Sequence, residues 1–137
     1  MTCITEDTKQ LIDYSVDFAE KMLKNYKEFF AFSVTINLIG DRIQTGYIDG
    51  NESLSEEELI NKWDTQHNQQ LTDNQRRAYA LTYPTKIQKE NSSQKIDAIA
   101  IKIKHANKAD STIYYYAYRH KGQKEIQFLD QWSEIVI

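Results

Sequence analysis

The chain opens on a helical period. Leu11, Ile12, Tyr14, Val16, Phe18, Ala19, Met22, Leu23 and Tyr26 share one broad side over Asp7–Lys27, with Asp13, Asp17, Glu20, Lys21, Lys24 and Lys27 opposite. Acids come early and lysines late, as the helix dipole favours, and Asp7 with Gln10 has the spacing of a capping arrangement. So wide an apolar side predicts a helix lying flat on a sheet rather than a coiled-coil seam. The period then drops to two. Phe30, Phe32, Val34, Ile36 and Leu38 alternate with Ala31, Ser33, Thr35 and Asn37, which predicts a strand. Gly40-Asp41 predicts a hairpin turn and Ile43–Asp49 the return strand, with a bulge at Gly46 and an end at Asp49-Gly50-Asn51. Ser55 and Glu58 make a capping box, Leu54 can staple against Leu59, and Leu59, Ile60, Trp63, His67 and Leu71 follow at helical spacing. The Asn/Gln-rich tail of this second helix, up to Gln75, is expected to fray.

Four strand patterns follow. Arg77–Thr82 continues through Tyr83 to Pro84, which removes a donor and is expected at a bulge or an edge. After a polar turn at Lys89–Ser93, Lys95–His105 sets Ile99, Ile101 and Ile103 on one face. Thr112–Arg119 is dense in tyrosine, a strand former, and a turn at His120–Gln123 leads to a short strand at Glu125–Leu129. Trp132, Ile135 and Val136 are expected to dock a C-terminal turn or short helix against the body. The order α-β-β-α-β-β-β-β with short turns predicts a single α+β domain over residues 1–137. Its mainly antiparallel, five- to six-stranded sheet carries both helices on one side.

Charge and composition narrow the functional classes. The net charge is −3, but residues 1–60 balance at −7 (12 acids, 5 bases) and residues 61–137 at +4 (8 acids, 12 bases). That total argues against nucleic-acid binding, which needs many phosphate-neutralising cations, while the asymmetry can make two electrically distinct faces. Cys3 is the one cysteine, so no internal disulfide is possible. No signal-peptide pattern and no membrane-length apolar run stand out, which leads to the expectation of a cytoplasmic protein without membrane association.

Strong catalytic motifs are absent. There is no glycine-rich phosphate loop, no Cys-x-x-Cys, no His-Glu-x-x-His and no nucleophile elbow, so neither a cofactor nor a metal is expected. His67 falls in the apolar register of the second helix and reads as packing; His120 reads as a solvated turn residue. His105 ends the isoleucine face and acts as a base only if a carboxylate such as Asp97 or Asp110 comes near. Arg76 and Arg77 read either as an anion site or as a solvated strand entrance. Tyr114, Tyr116 and Tyr118 project to one face and Tyr115 to the other; they are either core residues or an aromatic contact surface.

Three short stretches, Glu28-Phe29-Phe30-Ala31-Phe32, Tyr47-Ile48-Asp49-Gly50 with the following Ser-Glu-Glu-Glu helix start, and Lys95-Ile96-Asp97-Ala98-Ile99-Ala100, resemble a family of small uncharacterised bacterial α+β proteins. The resemblance runs over roughly residues 15–120, and relatives of that type carry proline where this chain has Ala31. It implies the same strand-helix order and brings no established activity.

These readings favour a non-enzymatic protein-interaction domain, of which an inhibitory or toxin-neutralising protein is one form. Glu56, Glu57, Glu58, Tyr115 and Tyr118 are its candidate contacts. One alternative is a small-molecule-binding domain or enzyme whose sheet-helix pocket uses Tyr79, Asp97, His105, Tyr114 and Tyr116. Another is a homodimer joined through the sheet or an edge strand.

Overall fold

A computed structural model describes residues 4–48, 54–88, 94–122 and 125–136. Its elements are helix α1 (Ile4–Tyr26), strands β1 (Phe32–Asn37) and β2 (Arg42–Tyr47), helix α2 (Glu56–Thr72), and strands β3 (Arg76–Gln88), β4 (Lys95–His105), β5 (Ser111–His120) and β6 (Ile126–Val136). The six strands form one antiparallel sheet in the order β2-β1-β3-β4-β5-β6. The predicted α+β class and element order therefore hold. Cys3, the Asp49-Gly50-Asn51 strand end, the Lys89–Ser93 turn and part of the His120–Gln123 turn lie outside the described residues.

The two helices cover opposite faces, not one side. Under α1 lie Phe32, Val34, Ile36, Ala78, Ala80, Ile99, Ile101 and Ile103, while α2 packs on Ala31, Tyr79 and Leu81. Successive side chains of a strand point to opposite faces, so Ala78 and Ala80 on one side and Tyr79 and Leu81 on the other require a helix over each. On α1 the most buried column is Asp7, Leu11, Ser15, Ala19 and Leu23, an i, i+4 row. The isoleucine face of β4 is almost fully buried beneath it.

Both chain irregularities read from the sequence have a physical cause. The β1–β2 register slips between Ser33 and Val34, so Thr45 is the extra residue beside Gly46. A Cβ on Gly46 would stand 2.7 Å from Cε2 of Trp63 and 2.9 Å from Oγ of Ser33, so this glycine lets the indole of α2 lie against β2. Pro84 sits in unbroken register opposite Ile99 of β4, but β1 reaches only as far as Thr82. Beyond Thr82 β3 has β4 as its only described neighbour, and the missing N–H of Pro84 costs no ladder bond on the open side.

Three local expectations change. The tail of α2 stays helical to Thr72, where the backbone N–H of Asp73 donates to the carbonyl of Gln69 and that of Asn74 to the carbonyl of Leu71. Asp7 is no cap; it lies inside α1 and is buried. Trp132, Ile135 and Val136 do not dock a turn or helix. They extend β6 into an eleven-residue edge strand and are 39%, 64% and 37% exposed. Pairing with the tyrosine-rich β5 holds them there, through Thr112–Ile135, Tyr114–Ser133 and Tyr115–Trp132. Among the described residues, no helix is long and apolar enough to cross a membrane.

Candidate functional site

Helix α2 lies over β3 and β1 and leaves the outer part of its face of the sheet open. Two rows of side chains cross that part from strand to strand. One runs Tyr83, Ala100, Tyr115, Trp132; the next runs Leu81, Lys102, Ile113, Glu134. Cross-strand neighbours stand about 5 Å apart, close enough for each row to make one surface. Ala100, fully buried between two tyrosines, supplies the small residue that lets the rings flank it. At the edge the rings of Tyr115 and Trp132 stack, 5.4 Å between centroids and 20° between planes. The Tyr115 hydroxyl donates to Oε1 of Glu134 at 2.6 Å. Partial burial, then the Glu134 carboxylate that accepts this proton, pushes the Tyr115 phenol well above its ordinary value. Burial and the charges of Glu134 and Asp64 move Tyr83 the same way. These tyrosines stay neutral donors at physiological pH.

Where α2 meets the open part there is a groove of about 380 Å³, with Glu56, Glu57, Ile60 and Asp64 on the helix side and Tyr83, Lys102, Ile113 and Val136 on the sheet. A second space of about 210 Å³ shares Asp64, Lys102 and Val136 and runs on to Asn68, Lys104 and Ser111. Asp64 ties helix to sheet: it accepts from the Tyr79 hydroxyl at 2.7 Å and from Nζ of Lys102 at 3.1 Å. Lys104 donates to Oδ1 of Asn68 at 2.6 Å. The Lys102 charge is thus matched within the groove, while Glu56, Glu57 and Glu134 border it with negative charge. Glu56 also accepts the backbone N–H of Ala31 at 2.9 Å, which fixes the start of α2 against the start of β1. The site offers an aromatic and aliphatic floor with an acidic border. Among the described residues no group of three or more His, Cys, Asp or Glu side chains could hold a metal ion.

The histidines are occupied elsewhere. His105 meets neither Asp97 nor Asp110 but Asp7, with Nε2 at 2.8 Å from Oδ2. Nδ1 of His105 accepts the backbone N–H of Asn107 at 3.2 Å, so Nε2 carries the proton and donates to the carboxylate. Arg77 grips the same carboxylate with two nitrogens, Nε to Oδ2 at 2.8 Å and Nη2 to Oδ1. Burial pushes the Asp7 carboxyl up, but the bonds and charges of Arg77 and His105 outweigh it and hold it below its ordinary value. On the other face, His67 donates or accepts at both nitrogens: Nδ1 lies 3.0 Å from Oε1 of Gln70, and Nε2 lies 3.2 Å from Oγ of Ser33 and 3.3 Å from Oγ1 of Thr45. The Gln70 oxygen can only accept, which puts the proton on Nδ1 and makes Nε2 the acceptor from the hydroxyls. A serine, a histidine and an orienting amide in this order resemble a nucleophile and its base. Ser33 and His67 are both buried, however, so the group is closed off from solvent; desolvation lowers the His67 pKa and keeps the ring neutral.

The ten sequence candidates separate accordingly. Glu56, Glu57 and Tyr115 share the open face. Glu58 is spent on the capping box with Ser55. Tyr118 is buried in the α1-side core, on the face away from Tyr115. Tyr79 lies beneath α2 and lines the smaller space. Tyr114 and Tyr116 face α1 and line two separate hollows beside Lys9 and Val16. Asp97 and His105 occupy opposite ends of β4, about 26 Å apart along the strand, and Asp97 faces Lys86 at 3.8 Å. The five pocket candidates therefore share no cavity. Asp64, Lys102, Trp132 and Glu134 belong to the site and were not singled out from the sequence. For the strand residues the signal was parity: Lys102, Trp132 and Glu134 fall on the Tyr115 face once β4, β5 and β6 are set in register, while Asp64 arrives on α2, through its bonds to Tyr79 and Lys102. No family model matches the chain, and no curated protein or solved structure does either.

Proposed function

We propose that this domain is a non-enzymatic protein-interaction module that binds a basic protein partner on the open face beside α2. The row Tyr83–Ala100–Tyr115–Trp132, bordered by Glu56, Glu57 and Glu134, is the observation that supports this most directly. Aromatic side chains give large contact area at small entropic cost, and the acids select and steer a cationic surface. Inhibition of a basic enzyme or toxin by masking its surface is one form such binding takes. With a single cysteine and no disulfide to form, the partner is one met in the cytoplasm.

Site-specific photo-crosslinking tests the proposal. A photoreactive residue is placed at Trp132, and at the exposed Asp17 of α1 as a control, in cells that make the chain. The expected result is an adduct with one basic protein from position 132 alone, abolished by Glu57→Lys with Glu134→Lys. No position-specific adduct, or one indifferent to the charge reversals, overturns the reading. So does native mass spectrometry that finds a metabolite filling the groove, which would favour a small-molecule site.

A further inference from the structure

We propose that the partner lays an extended segment along the α2 groove, with a Lys or Arg side chain at the Glu56–Glu57 end and a carboxylate at the Lys104 end. This rests on the partner reading above and adds what the bound segment must carry. The two spaces beside α2 share Asp64, Lys102 and Val136, so they form one run. Their charges differ. The first holds Glu56, Glu57 and Asp64 against Lys102, a balance of −2 (three acids, one base). The second holds Asp64 against Lys102 and Lys104, a balance of +1 (one acid, two bases). Asp64 and Lys102 stand between the two ends, 3.1 Å apart, and cancel. What remains is negative at the start of α2 and positive beyond Asp64.

The positive end is built to take an anion. Lys104 lies on the same face as Lys102, opposite Tyr79 of β3, and is half-buried. Among the described residues its Nζ forms no ion pair; it donates to the neutral Oδ1 of Asn68 at 2.6 Å. An ammonium has three donors, so this bond leaves it room for a further acceptor. Ser111, 8% exposed, lines the same space and brings a hydroxyl. A carboxylate placed there would gain charge-assisted hydrogen bonds. Between the ends, Ile60, Tyr83, Ile113 and Val136 offer apolar walls to the intervening side chains. The spacing follows from the helix. Glu57 and Asn68 are eleven residues apart on α2, about 16 Å at 1.5 Å per residue. An extended chain covers that length in about five residues. Opposite charges so far apart suit a stretch of polypeptide better than a compact metabolite.

Random ten-residue peptides displayed on phage and panned against the immobilised full chain decide the matter. The expected selection is a Lys or Arg with an Asp or Glu about four to six positions away, in one chain direction. Lys104→Met should erase the preference for the acid, keep that for the base, and weaken the selected peptide about three- to fivefold. Lys104→Arg, which retains the charge, should keep both preferences. Glu57→Gln should weaken the preference for the base alone. Thermal melts of all three variants should match that of the native chain. Basic peptides without an acid at a fixed spacing, or an acid preference that survives Lys104→Met, overturn this inference and leave the partner reading standing. Acidic peptides without a base, or no enrichment at all, overturn both.

Discussion

Replacing Asp7 with Asn tests the charge at the centre of the α1 clasp while keeping its shape. In the native chain the carboxylate is 2% exposed and accepts from Arg77 twice and from His105 once. The asparagine still offers one oxygen, so His105 or Arg77 keeps a bond, but not all three survive. Breaking a buried pair costs about 3–5 kcal/mol, and bonds to charged groups are worth about 1.5–3 kcal/mol each. Arg77 is a quarter exposed and regains water when its partner goes, which discounts the upper figure. The expected loss is therefore about 2–3 kcal/mol at neutral pH, a fall in Tm of roughly 8–10 °C for a chain of this size. Urea unfolding followed by circular dichroism measures it, with the slope unchanged. Acid supplies the sharper check. Asp7 is held below its ordinary value of 3.8, so its contribution is fully present above that pH and is lost as pH falls through the lowered, folded-state value. The gap between native chain and variant should be constant at neutral pH and should close in strong acid. A gap under about 0.5 kcal/mol at pH 7, within the range of ordinary surface changes, would refute the assignment of this network as a stabilising clasp. So would a gap unaltered by acid.

Two further changes probe the layers on either side of the sheet. Gly46→Ala should destabilise the fold by about 1–3 kcal/mol, since the new methyl meets the Trp63 ring and neither β2 nor the indole can withdraw without opening the α2 layer. Denaturant midpoints measure it, and an unchanged midpoint would show that the contact is loose. Ile101→Ala, beneath α1, should cost about 2–5 kcal/mol by creating a cavity. A loss much under 1 kcal/mol in calorimetry would mean that this face is not the packed core described.

Much of the architecture was legible because it rests on local periodicity. The 3.6 repeat of α1 as far as Leu23, the Phe32–Val34–Ile36 alternation of β1, the Ser55–Glu58 box and the isoleucine face of β4 reappear as read, while Tyr26, Phe30 and Leu38, read as part of the same apolar sides, are exposed. The side on which α2 packs was not legible from its own stripe of Leu59, Trp63, His67 and Leu71, which suits either face. The usable sign lay in β3, where Ala78, Tyr79, Ala80 and Leu81 are apolar without alternation, the mark of a strand covered on both faces. β6 was cut short because Asp130 and Gln131 interrupt its apolar pattern, whereas cross-strand pairing with β5 carries it on. The site was half visible. Tyr115 and the Glu56–Glu57 pair were named, but Trp132 and Glu134 join them only through register, and Asp64 only through the packing of α2 on β3. The Asp7–His105 contact spans 98 positions, a separation at which no local pattern speaks.

The bulge that squeezes out Thr45 has a consequence at the far end of the sheet. It twists the short, arginine-bearing β2 so that this edge makes a poor template for another chain.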